Sequence, residues 1–318
     1  MGQYSSNLPQ LDPNAVYLTD GGLETVMIFT EGLDLPHFAA CELLRSADTR
    51  ATLRRYFDGF AAIAAEQGVG FIIDTATWRA NPDWTSLLGY SDEQFAEINR
   101  DAVDLAVEVR TAWERPGAPM PISGVIGPRG DGYRPHALQS IEEARDYHRA
   151  QVDVFAATHQ VDVVTAVTMN YPQEAAGIAL AARDAGLPVA ISFTVETDRR
   201  LVTGATLEQA IAAVELATDG YPSYYMVNCV HPTHLPESLV AAGEWAKRIR
   251  GYRANASSLS HDELDESEVL DSGDAEQLGA QYGELRVALP QLSILGGCCG
   301  TDARHIAAIA RAVATPAA

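Results

Sequence analysis

Short apolar runs of four to eight residues recur along the chain, at Val16 to Asp20, Val69 to Asp74, Pro121 to Ile126, Val161 to Thr168, Val189 to Val195, Tyr224 to Cys229, Ile249 to Arg253 and Leu292 to Leu295. Between them apolar residues return every three or four positions, at about Thr49 to Gln67, Asp92 to Arg115, Ser140 to His159, Pro172 to Ala185, Thr206 to Ala217, Pro236 to Lys247, Asp274 to Ala288 and Asp302 to Val313. Leu53, Phe57, Phe60 and Ala64 show the helical spacing, and Gly68 stands where a helix-ending glycine belongs. The pattern predicts eight strands alternating with eight helices.

Nearly continuous apolar strands separated by helices imply a parallel sheet covered on its outer face. Eight such units without a linker or composition break predict a closed (β/α)8 barrel in one domain over 1–318, preceded by a short polar leader at 1–14. No Gly-x-Gly-x-x-Gly follows the first strand, which argues against a dinucleotide site. In such a barrel the chemistry gathers where the strands end. This chain places there Asp20; Thr75, Thr77 and Trp78; Gly127 and Pro128; Thr168, Asn170 and Tyr171; Thr194 and Glu196; Asn228 and Cys229; Asn255; and Cys298 with Cys299.

Charge narrows the partners. Lys and Arg number 22 against 43 Asp and Glu, a formal charge of −21 that would repel nucleic acid and anionic membrane surfaces. A small molecule is the expected partner. Met1 to Gln10 lacks the basic and apolar parts of a signal peptide, and no apolar run approaches membrane-spanning length, so a cytoplasmic protein is expected. The sequence leaves homo-oligomerisation open. Acidic residues crowd 254–276, with Asp262, Glu263, Asp265, Glu266, Glu268, Asp271, Asp274 and Glu276 and no Lys or Arg; a solvated surface loop is the expectation, with an active-site lid as the alternative.

Four cysteines are too few for a disulfide scaffold, and three fall at strand ends. Cys298 and Cys299 sit among Gly296, Gly297 and Gly300, at a strand-to-helix turn that glycine flexibility allows to be sharp. With Cys229 they would form a three-thiolate zinc site with one open position, the form of a catalytic metal centre. Unrelated buried thiols, or a vicinal Cys298–Cys299 disulfide, are the alternatives. Cys41 reads as a small buried hydrophobe.

From about Leu18 to Ala312 the chain resembles the zinc-dependent homocysteine S-methyltransferases. The resemblance rests on Asp20-Gly21-Gly22-Leu23-Glu24-Thr25, Asp74-Thr75-Ala76-Thr77-Trp78, Gly127-Pro128, Ser192-Phe193-Thr194, Val227-Asn228-Cys229, Gly296-Gly297-Cys298-Cys299-Gly300-Thr301 and His305-Ile306. It implies that Cys229, Cys298 and Cys299 bind Zn2+ and that a small acceptor thiol takes the fourth position. The methyl donor would be a sulfonium or betaine-type compound. Asp20, Thr75, Trp78, Thr168, Glu196 and Asn228 are the expected substrate contacts. Within that set the resemblance gives Asp20 the amino acid end of homocysteine, where capping of the Gly-Gly turn is its other use, and Trp78 the donor cation. One position departs: Val167 stands where relatives carry a Glu for the amino group. Glu196 could supply that carboxylate, or pair with Arg199 or Arg200; alternatively the acceptor is another thiol, or the barrel binds zinc without transfer. His231 and His234 read as loop histidines, with a ligand or donor-site role as the alternative.

Overall fold

The computed structural model describes residues 1–135, 137–235, 243–265, 267 and 269–314. The strand segments are β1 (Tyr17–Leu18), β2 (Gly70–Phe71), β3 (Ile73–Asp74), β4 (Ile122–Ile126), β5 (Val163–Met169), β6 (Val189–Phe193), β7 (Tyr224–Asn228), β8 (Ile249–Ala254) and β9 (Ile294–Gly297). All pair in parallel, in the order β2-β1-β9-β8-β7-β6-β5-β4-β3. β2 and β3 are the halves of the one predicted strand at Val69 to Asp74. The first half bonds to β1 and the second to β4, so the sheet closes on itself there. Ile72 N donates to Leu18 O and Ile73 N to Pro121 O, each at 2.9 Å, on opposite sides of this strand. The expected (β/α)8 barrel is therefore present, its second strand shared between two neighbours.

The helices are α1 (Leu23–Thr25), α2 (Ala47–Gln67), α3 (Pro82–Leu87), α4 (Asp92–Trp113), α5 (Ile141–Thr158), α6 (Pro172–Asp184), α7 (Leu207–Thr218), α8 (His261–Asp265), α9 (Ala275–Ala288) and α10 (Ala303–Ala314). Local chemistry sets their ends. α4, α5 and α7 each open on a reciprocal cap, Ser91 with Gln94, Ser140 with Glu143 and Thr206 with Gln209. Gly68, at φ 67°, closes α2. Of the helix expected at Pro236 to Lys247, residues 236–242 lie outside the described residues. Its remaining part is a 3-10 turn, Glu244–Arg248, behind an extended Gly243, a residue that periodicity overlooks but helices disfavour.

Two apolar layers result. Leu53, Phe57 and Phe60 of α2, Val103 of α4 and Ile309 of α10 pack against the outside of the sheet. Inside, Tyr17, Ile72, Val163, Ala190, Tyr224, Met226 and Ile294 form a separate cluster with Leu8. The polar leader thus enters the core at the barrel end opposite the strand C-termini. Gln10, fully buried, donates to the Tyr224 hydroxyl at 3.4 Å, while its carbonyl accepts from Ser293 Oγ at 2.8 Å. Among the described residues no helix is long and apolar enough to cross a membrane.

Candidate metal centre

Gly296 and Gly297 end β9, and their role differs from the sharp turn the sequence suggests. A Cβ on Gly296 would lie 1.8 Å from Thr19 Oγ1, and one on Gly297 would lie 2.0 Å from Thr301 Oγ1, so both positions need glycine for close approach. Gly300, at φ 78°, makes the turn. Cys298 N donates to Ala254 O at 2.7 Å, and the Cys298 carbonyl accepts from Thr301 N at 3.1 Å and Thr301 Oγ1 at 2.7 Å.

The sulfurs of Cys229, Cys298 and Cys299 lie within 4.8 Å of one another. Cys229 and Cys298 are joined as a disulfide, and Cys299 keeps a free thiol that hydrogen-bonds the Tyr133 hydroxyl. A vicinal Cys298–Cys299 bridge is thus not formed. Three thiolates around one zinc, each at about 2.3 Å, would stand about 3.8 Å apart, so once the pair is reduced the donor set fits a zinc ion. Burial pushes the Cys299 thiol up to about 11, with the Glu24 carboxylate acting in the same direction. A bound dication would oppose both effects.

Asn228 holds this arrangement from behind. Fully buried, it accepts from Thr168 N at 3.0 Å and Ser192 Oγ at 2.6 Å, and donates to Thr168 Oγ1 at 2.9 Å and Cys229 Sγ at 3.2 Å. One amide therefore ties the ends of β5, β6 and β7 together. Thr168 and Cys229 sit at φ 63° and 54°, a left-handed region that β-branched threonine in particular avoids, and the network over-determines them.

On the other side of the mouth the Arg253 guanidinium bridges two buried carboxylates, Asp20 through Nη2 and Asp74 through Nη1. Tyr56 donates to Asp20 as well, at 3.0 Å. Burial pushes Asp20 up to about 6, with Asp74 adding to the rise while Arg253 opposes it. Burial alone would lower the Arg253 pKa, but the two acids carry it above its ordinary value. Asp20 is thus neutralised within the protein, and its role goes beyond capping the Gly-Gly turn.

A cavity of about 500 Å³ opens between the two sides. Of the expected substrate contacts Asp20, Thr75, Trp78 and Thr168 line it with the three cysteines, and so does Val167; Asn228 lies behind the wall. Glu196 lines a separate small recess with His231 and His234, and its carboxylate pairs with His261 Nδ1 at 2.9 Å. His261 Nε2 is 2.7 Å from the Cys229 carbonyl, so this histidine joins Glu196 to the loop that carries Cys229. Neither His231 nor His234 belongs to the thiol group. Trp78 Nε1 donates to Val167 O at 3.3 Å, and the Arg79 guanidinium stands 5.0 Å over its ring, so a cation already occupies one side of it.

The acidic stretch forms part of the cavity wall through Leu264, Val269, Leu270 and Asp271, which corrects the expectation of a merely solvated loop. Its acids have local work: Asp262 pairs with Arg134 at 2.7 Å, Asp271 accepts from Ser257 at 2.6 Å, and Asp274 caps α9. Glu266 and Glu268 lie outside the described residues. Cys41 is buried as expected, its thiol pushed up to about 12 by burial. Sequence reasoning missed Glu24, Asp74, Tyr133 and Arg253 as site residues. Asp74 and Arg253 carried a signal, each being a charge at the end of a predicted strand.

Residues 17–313 match the family described as homocysteine S-methyltransferase. No curated relative matches the sequence. The homocysteine methyltransferase MmuM of Escherichia coli is similar in structure. Its metallated form superposes with a TM-score of 0.74 at 20% identity, covering 95% of this chain and 97% of that one. Its oxidised form gives 0.74 at 20%, covering 92% and 94%, and its apo form 0.68 at 19%, covering 95% and 97%. The barrel, the thiol group at its mouth and the match over nearly the whole length agree: this chain belongs to the homocysteine S-methyltransferase family and is a thiol S-methyltransferase.

Proposed function

We propose that the protein transfers a methyl group from a sulfonium or betaine-type donor to homocysteine, giving methionine, with Cys229, Cys298 and Cys299 holding zinc. The observation that carries this reading is the meeting of three sulfurs within 4.8 Å on the wall of the cavity. Bound there, zinc would keep an acceptor thiol as thiolate at neutral pH, the form that attacks carbon.

The rest falls to the chain. A direct displacement at the methyl carbon needs alignment more than acid–base help, because the leaving group departs without a proton. Asn228 fixes the sulfur ligands through Thr168 and Cys229, which holds the thiol end in place. The cavity falls within the roughly 300–1,000 Å³ of ligand sites, a size suited to small substrates. Trp78 and Thr75 line it as candidate donor and acceptor contacts. The Asp20–Arg253–Asp74 group leaves one net negative charge beside it, which favours cationic ligands such as a sulfonium.

Metal analysis of protein purified under reducing conditions, with Cys298→Ser alongside, tests the proposal. About one zinc per wild-type chain is expected, with loss of the ion and at least ~1,000-fold loss of turnover in the variant. Zinc absent from both would sink the idea. A panel of thiols against sulfonium and betaine donors then separates homocysteine from another acceptor, the reading that Val167 favours.

A further inference from the structure

The acids around the cavity are nearly all spoken for. Asp20 and Asp74 share Arg253, Asp271 accepts from Ser257 and Gly273, and Asp131 lies 3.7 Å from Arg79. Glu24 is different. It sits in α1, directly after the Gly21-Gly22 turn, lines the cavity and is half-buried. Among the described residues no side chain hydrogen-bonds or ion-pairs with its carboxylate; its own amide supplies the backbone hydrogen bond it has.

The placement of Glu24 is fixed against the cysteine turn. Gly22 N donates to Thr301 O at 2.9 Å, and Gly300 N donates to Thr25 Oγ1 at 3.1 Å. The segments carrying Glu24 and Cys298-Cys299 are thus hydrogen-bonded on both sides of Glu24, and its charge acts on the Cys299 thiol. A short ligand whose thiol lies at the cysteines would bring its other end close to this carboxylate. Across the cavity, the end of β5 contributes Val167, which offers a cation nothing.

A half-buried, unpaired carboxylate is costly until a partner arrives. Burial pushes Glu24 up to about 7, a rise that the more distant charges of Arg79 and Arg253 oppose without cancelling. The form of the partner is set by hydrogen bonding. A sulfonium or quaternary ammonium has no N–H to give, whereas a primary ammonium donates directly to carboxylate oxygens.

We propose that Glu24 is the residue that recognises the α-ammonium group of an amino-acid thiol acceptor. The inference rests on the thiol-transfer reading of the same cavity and adds to it the residue that holds the acceptor's amine. Val167 then needs no carboxylate, because the first strand-to-helix connection supplies it.

The test is calorimetric binding to zinc-loaded protein of L-homocysteine and of 4-sulfanylbutanoic acid, which keeps the thiol and carboxylate but lacks the amine. Wild type should bind homocysteine at least tenfold more tightly. Glu24→Gln should erase that preference by weakening homocysteine alone, with metal content and melting temperature retained. Three results would overturn the assignment: equal wild-type affinities, equal weakening of both thiols in the variant, or weakening confined to a sulfonium donor. Should Glu24→Gln not fold, Glu24→Ala and the wild-type preference still decide. Absence of turnover with every donor would count against methyl transfer to homocysteine and leave the binding result on Glu24 standing.

Discussion

On the β7 and β9 side of the cavity, three sulfurs are positioned by the backbone: Cys229 by its left-handed conformation, Cys298 and Cys299 by the Gly300 turn, with one neutral amide, Asn228, bracing the group. On the β1 and β3 side, Asp20 and Asp74 are positioned by a cation, the Arg253 fork that crosses from β8. The first side is braced by neutral groups; the second largely cancels its own charge. The difference shows why Glu24, on the second side but outside the Arg253 pairing, is the acid left for a ligand.

Breaking the internal pairing should have the largest effect on the fold. Arg253→Met leaves two carboxylates buried without a counter-charge, and an expected loss of about 3–5 kcal/mol would show in urea unfolding. Adding Asp20→Asn and Asp74→Asn to it should restore much of the stability. No loss in Arg253→Met would mean that water already neutralises the acids, and the two sides would be alike.

The thiol side is sharpened by Asn228→Ala. Without the amide the Thr168 N–H and the Cys229 sulfur lose their partner, and zinc affinity measured by chelator competition should fall about 10–100-fold, the usual range for groups that orient ligands. An unchanged affinity would show that the backbone alone holds the cysteines.

The smallest effect concerns Glu24 in the absence of ligand. Its folded pKa of about 7 lies above the ordinary 4.5, so its charge costs stability as pH rises past 4.5, the full cost being present above 7. Glu24→Gln should therefore melt a few degrees higher than wild type at pH 8, for about 1–3 kcal/mol, and equally at pH 4. Equal melting at both would show a solvated carboxylate.

Much of this was legible in the residues. The alternation of apolar runs and helical spacing fixes a closed parallel barrel, because strands covered on both faces must be apolar throughout. The cysteines were legible because two adjacent thiols among glycines, with a third at another strand end, fall where a barrel gathers its chemistry. Asp20, Thr75, Trp78 and Thr168 were found by their place after strands, and the structure puts all four on the cavity. Asn228 and Glu196 were found by the same rule, yet they serve the wall and a side recess, because position after a strand does not fix which way a side chain points. Glu24 stood inside a motif read for its glycines and aspartate, and Tyr133 had no signal at all, its partner Cys299 being far away in the chain.

The sequence by itself determined the barrel and the three cysteines that meet at its mouth, since periodicity and residue type act locally. Only the tertiary structure decided which charges cancel. Arg253 finds Asp20 and Asp74 across 233 and 179 residues, and the leader finds the barrel floor through Leu8 and Tyr224. Electrostatic pairing depends on distance in space, which chain spacing does not encode, and so Glu24, without a side-chain partner among the described residues, became visible beside the thiols only in three dimensions.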